Sequence, residues 1–129
     1  MFSMFEKDYI MRLVKQAVRM ILKLLFGIDT TVPMQEILEK AEEKEITERL
    51  LKMADGGRIN EAENELYDIT ADADRRYLKT ALIFYYHLAE MDESFLIENN
   101  YTSQEIKEGV QDLVERYGIK DISDIIFDG

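Results

Sequence analysis

Residues 5–26 carry the pattern that most constrains how this 129-residue chain folds. Placed on a helix at about 100° per residue, Asp8, Arg12, Lys15, Gln16, Arg19 and Lys23 fall within an arc of about 100°. Apolar residues, from Tyr9 and Ile10 through Leu24 and Leu25, occupy roughly the other 260°. A helix apolar over so much of its circumference cannot lie on the outside of a small domain with one face in water. It requires enclosure by other helices of the chain, by a second copy, or by a lipid interface.

The length fits one domain, residues 1–129, able to bury roughly two-thirds of its unfolded surface. With 47% hydrophobic and 33% charged residues, the composition is that of a folded chain rather than a disordered one. A single proline, Pro33, and abundant Ala, Leu, Glu and Lys favour helices, and no strand pattern emerges. The expected fold is all-α: antiparallel helical hairpins behind a long N-terminal helix.

The net charge of −11 is unevenly placed. Residues 1–27 hold five Lys or Arg against two acids, and the remainder holds eleven against twenty-five. Such a body repels phosphate backbones, so nucleic acid is excluded as an expected partner. The absence of cysteine removes disulfides, thiolate chemistry and cysteine-bound metal. Charges at Arg12, Lys15, Arg19 and Lys23 interrupt the first segment, whose longest apolar runs are three residues. Neither a secretory signal nor a spanning helix is expected, and the cytoplasm is the expected location.

Helix 1 is read as ending at Gly27, with residues 28–33 as a connector and residues 34–117 as a helical core. A second helix is expected over residues 34–54, its polar middle either facing solvent or broken near Glu43. After Gly56 and Gly57, Ile59, Ala62, Leu66 and Ile69 recur at helical spacing. Asp72 or Asp74 caps a fourth helix running to about Met91, apolar on nearly every side and expected at the centre of the core. A short helical turn then begins at Asp92–Phe95 and ends at Asn99-Asn100. Thr102 with Glu105 forms a capping box opening a last helix through Tyr117. Residues 119–129, with Ile122, Ile125, Ile126 and Phe127, are expected to dock back on the domain, a partner-binding tail being the alternative.

The stretch Gly57-Arg58-Ile59-Asn60-Glu61-Ala62, with Leu66 and Ile69 beyond it, resembles the second-helix entry of a tetratricopeptide repeat over about one and a half units. More broadly, Phe5-Glu6-Lys7-Asp8-Tyr9-Ile10-Met11-Arg12, Glu61-Ala62-Glu63-Asn64-Glu65-Leu66-Tyr67 and Phe84-Tyr85-Tyr86 resemble a family of small, uncharacterised bacterial all-helical proteins. The resemblance implies a cytoplasmic bacterial protein with a tetratricopeptide-like core. It implies no activity, cofactor or site residue, and the basic and asparagine pattern of carboxylate-clamping repeats is not matched.

Little in the chain suggests catalysis. His87, the single histidine, forms HxxE with Glu90, a spacing able to present two ligands on one face, but this is too few for zinc without distant partners. Glu61, Glu65 and Asp68 share a helical side, and Asp72 and Asp74 lie close together; solvated carboxylates explain both groups better than acid–base or cation chemistry. No EF-hand loop, phosphate loop or nucleophile elbow is present, so no catalytic residue, metal ligand or cofactor is assigned. Arg75, Arg76 and Lys79 form the one basic cluster of the acidic body. Pairing of Arg75 and Arg76 with Asp72 and Asp74 is the simplest account. If instead a groove lies along the fourth helix, Arg75, Lys79, Tyr86 and His87 line it for an acidic or aromatic peptide. The expected function is a non-enzymatic protein-interaction or scaffold domain, its partner another protein or a second copy through helix 1. The alternatives are peripheral attachment to a membrane surface through helix 1 and, after that, a small metal-dependent enzyme.

Overall fold

A computed structural model describes residues 4–29 and 32–119, and every regular element among them is helical. Helix α1 spans Met4–Phe26, α2 Ala41–Asp55, α3 Ile59–Thr70, α4 Leu78–Ala89, α5 Glu93–Glu98 and α6 Ser103–Arg116. Short 3₁₀ turns occupy Met34–Ile37 and Arg75–Tyr77. The protein is all-α.

Helix α4 takes the centre because it has no polar face to offer solvent: ten of its twelve residues are buried. It packs on α1, α2 and α6 together. Cross-links between side chains set the helix directions. Thr47 and Thr80 share a buried hydroxyl hydrogen bond of 2.8 Å, and Asp55 meets His87 at 2.7 Å, so α2 and α4 run the same way. Tyr86 meets Arg19 while Lys79 lies over Phe26, so α1 runs opposite to α4. Asn60 donates to the Asn100 carbonyl and Arg116 to the Thr70 hydroxyl, which lays α3 and α6 side by side in that same opposite sense. Ile10, Val14, Val18, Ile21 and Leu22 of α1 belong to the same core as the later helices.

The continuous second helix expected over 34–54 is two elements. Leu38 is extended (φ −84°, ψ 131°), and α2 begins only at Ala41. Neither alternative for the polar middle holds at Glu43, which lies inside regular helix, unbroken, and is itself buried rather than facing solvent. The cause is a phase mismatch. On one continuous helix, Met34, Ile37 and Leu38 would point roughly 140° away from Thr47, Leu50, Leu51 and Ala54. All seven are buried, so the chain must break between the two sets to aim both inward.

Helix ends follow local chemistry. Gly57 adopts φ +89° and closes α2 with Arg58 N–H donating to the Met53 carbonyl at 2.9 Å. A Cβ there would also lie 2.5 Å from the Asn99 side chain, so both conformation and packing demand glycine. Asp74 caps the turn before α4, accepting from Arg76 N–H at 3.0 Å. The Thr102 hydroxyl accepts from Glu105 N–H at 3.1 Å and opens α6. Thr102→Ala is expected to cost about 1 kcal/mol of stability, read as a lower urea midpoint with an unchanged slope. Of the expected docking segment 119–129, only Ile119 falls within the described residues, half-buried against the core; the rest lies outside them.

Candidate interaction surface

Helix α1 buries Ile10, Met11, Val14, Ala17, Val18, Ile21 and Leu22 against α4 and α6. Its opposite face is not the polar stripe that the sequence suggests. Tyr9 is 60% exposed, Met20 42% and Leu24 61%, with Leu13 half-buried between them. These lie in line, bordered on one side by exposed Arg12, Gln16 and Lys23. A shallow depression of about 210 Å³ opens among Tyr9, Arg12, Leu13 and Gln16.

The reason is Tyr86. The Arg19 guanidinium sits 5.0 Å from its ring centroid and donates to its hydroxyl, and the Lys15 ammonium lies 6.0 Å from the same ring. Both cations are drawn inward by the aromatic face. The polar stripe is thus half spent on an internal contact, and the solvent-facing side of α1 turns by roughly 40° toward its apolar arc. Among the described residues, the enclosure expected for helix 1 is therefore achieved on one side only.

The four residues expected to line a groove on α4 do not share one. Arg75 and Lys79 lie over the Phe26 ring, at 5.7 and 5.0 Å, at the C-terminal end of α1. Tyr86 is on the same side of α4 but is 7% exposed beneath α1. His87 faces α2, where its Nε2 meets the Asp55 carboxylate at 2.7 Å. Helix α1 lies across the face on which the groove was expected. Of the expected ion pairs, Arg76 with Asp74 forms at 2.7 Å, and this hydrogen-bonded contact holds the Asp74 carboxyl below its ordinary value. Arg75 is taken instead by Phe26.

A second polar cluster went unnoticed in the sequence. The Glu63 carboxylate accepts through one oxygen from the hydroxyls of Tyr85 (2.7 Å) and Tyr101 (2.9 Å). Burial raises its pKa above the ordinary value, and the two phenol hydrogen bonds partly offset that rise. Burial also drives both tyrosines upward, so they remain protonated donors. Tyr85 can approach α6 because position 109 is glycine: a Cβ there would fall 2.4 Å from the Tyr85 ring. One turn along, Arg116 lies 4.7 Å from the Tyr67 ring centroid and donates to the Thr70 hydroxyl at 2.7 Å. The signal for Glu63 was present, since it falls only about 20° beyond the arc made by Ile59, Ala62, Leu66 and Thr70, all buried. Its chemistry is that of a clamp joining α3, α4 and the loop before α6.

Among the described residues, no group of three or more His, Asp or Glu side chains is placed to hold a metal ion. No described helix is long and apolar enough to cross a membrane. Fold and surface together define an all-helical domain whose first helix, among the described residues, leaves a basic-edged apolar stripe uncovered. Over residues 4–118 the chain matches the model of a family of unknown function, DUF6483, and it belongs to that family. No curated protein and no solved structure matches it.

Proposed function

We propose that this protein is a non-enzymatic interaction module that takes up an apolar, acidic helical segment along the outer face of α1. The observation that carries the reading is the alignment of exposed Tyr9, Met20 and Leu24 beside Arg12 and Lys23. Single exposed apolar residues are ordinary, but a line of them along one helix is the geometry into which an amphipathic helix packs. The basic border stands on a molecule whose residues beyond 27 are strongly acidic, so an acidic partner is attracted to this face and repelled elsewhere. On this reading α2–α3 and α4–α6 are two stacked tetratricopeptide-like hairpins, with α1 laid across the side where such repeats hold their ligands. The setting is taken to be the bacterial cytoplasm.

The test uses two designed amphipathic peptides with the same apolar face, one with a glutamate-rich polar face and one lysine-rich. Fluorescence anisotropy with the full chain is expected to show binding of the acidic peptide only, weakening with added salt. Leu24→Asp is expected to weaken it roughly tenfold or more, from the loss of one buried leucine contact. Equal binding of both peptides, or of neither, removes the reading. Uptake of anionic vesicles through the same residues, without acidic-peptide binding, would assign the stripe to a lipid surface instead.

A further inference from the structure

We infer that the depression between α1 and the end of α4 is a binding site for a small zwitterion with an apolar body, of the class of a free dipeptide. The site is separate from the outer stripe of α1 and does not depend on the docking proposed there.

The cavity measures about 450 Å³ and lies where α1 passes the turn from α4 into α5. That size falls within the roughly 300–1,000 Å³ of small-molecule sites. Its floor is apolar, with Met11 and Ala89 buried and Met91 half-buried. Its walls are charged. Helix α1 contributes Arg12 and Lys15, with Asp8 one turn before Arg12. The turn after α4 contributes only carboxylates, Glu90 and Asp92.

Two features set this apart from an ordinary solvated patch. The charges are not spent on one another: among the described residues, Asp8, Arg12, Glu90 and Asp92 form no ion pair and no side-chain hydrogen bond, although all line one cavity. The acidic wall is also placed against local preference. Glu90 is the C-cap of α4, where the carbonyl end of the helix carries partial negative charge and favours a cation. Asp92 is the N-cap of α5, yet its carboxylate makes no cap hydrogen bond; only its backbone carbonyl accepts, from the Phe95 and Leu96 N–H groups at 3.1 and 3.2 Å. Two carboxylates beside a helix carbonyl end form a seat for an ammonium group. The Arg12 guanidinium, with Lys15 beside it, offers the matching seat for a carboxylate. A metal ion fits less well, since no three His, Asp or Glu side chains among the described residues are placed to hold one. A free dipeptide matches floor and walls together, because its ammonium and carboxylate stand at opposite ends of an apolar body.

The test titrates leucyl-leucine into the full chain by calorimetry, beside its N-acetylated and C-amidated forms. The free dipeptide is expected to bind, and removal of either terminal charge to weaken binding about tenfold or more. Variants then assign the ends. Arg12→Gln should abolish the preference for the free over the amidated form and leave that over the acetylated form. Glu90→Gln with Asp92→Asn should do the reverse. All three side chains are exposed, so these variants keep the fold. Leu24→Asp, on the outer stripe, should leave dipeptide binding unchanged while it weakens the helical peptide, so the two sites fail separately. Absence of dipeptide binding overturns the inference, as do equal affinities for free and blocked forms, or an end preference that neither set of variants moves. Dipeptide binding lost in Leu24→Asp would belong to the stripe and overturns it equally.

Discussion

Gly109→Ala is expected to lower the unfolding free energy by about 1–3 kcal/mol, although alanine is the better helix former. On an exposed helix the exchange would stabilise by roughly 1 kcal/mol. Here the new Cβ would stand 2.4 Å from Cε1 of Tyr85 and 2.7 Å from its hydroxyl, in a region where neither partner has room to withdraw. Tyr85 is 1% exposed, makes an edge-to-face contact with Phe84 at 5.4 Å, and is held at its far end by Glu63. Either the ring tilts out of that hydrogen bond or α6 moves off α4. A double-mutant cycle separates this cause from a general weakness of α6. In a Tyr85→Leu background the ring is gone, so Gly109→Ala should cost little and can change sign to stabilising. A full penalty in that background would show that the glycine serves some purpose other than admitting the tyrosine.

Glu63→Ala is the second large effect, expected to cost about 2–4 kcal/mol because two buried hydroxyls lose their shared acceptor. Glu63→Gln keeps an acceptor oxygen and should stay near wild type at low pH. The two proteins diverge as pH rises. With its folded pKa above the ordinary 4.5, Glu63 holds a proton in the native state that the unfolded chain has already released. Its contribution to stability is therefore present at low pH and lost as pH rises from about 4.5 through the folded value. Above that window the glutamine variant should be the more stable, by a margin that no longer grows. Urea midpoints of wild type and Glu63→Gln across this range provide the comparison, with the other titrating carboxylates common to both. Parallel curves would show that burial does not perturb this carboxylate.

Much of the architecture was legible because it rests on periodicity. Helices α1, α3, α4 and α6 fall where the apolar spacing places them, and the cap at Thr102 and the turn at Gly57 follow from residue type. The break before Ala41 was also written in the chain, as two apolar sets out of phase on one helix. The phase of the apolar residues marks it, whereas the polarity of the segment does not. Glu63 is obscured for a related reason: in so acidic a chain it reads as one more surface carboxylate unless its place beside the buried arc of α3 is considered. The stripe on α1 is different. No residue in the first 26 reports that Lys15 and Arg19 will turn inward, because the ring that draws them is Tyr86, 67 residues beyond Arg19 and on another helix.

From the order of residues alone it follows that this protein is helical, that α4 lies at its centre, and that its charge divides between a basic first helix and an acidic body. Those properties follow from side-chain spacing and composition, which are local. Packing is what sets the face of α1 that meets water, the partner each of Arg75, Lys79, Tyr86 and His87 acquires, and the admission of Tyr85 beside Gly109. Each of these depends on how far helices are rotated about their own axes when they pack, and that rotation is set by contacts between residues distant in the chain.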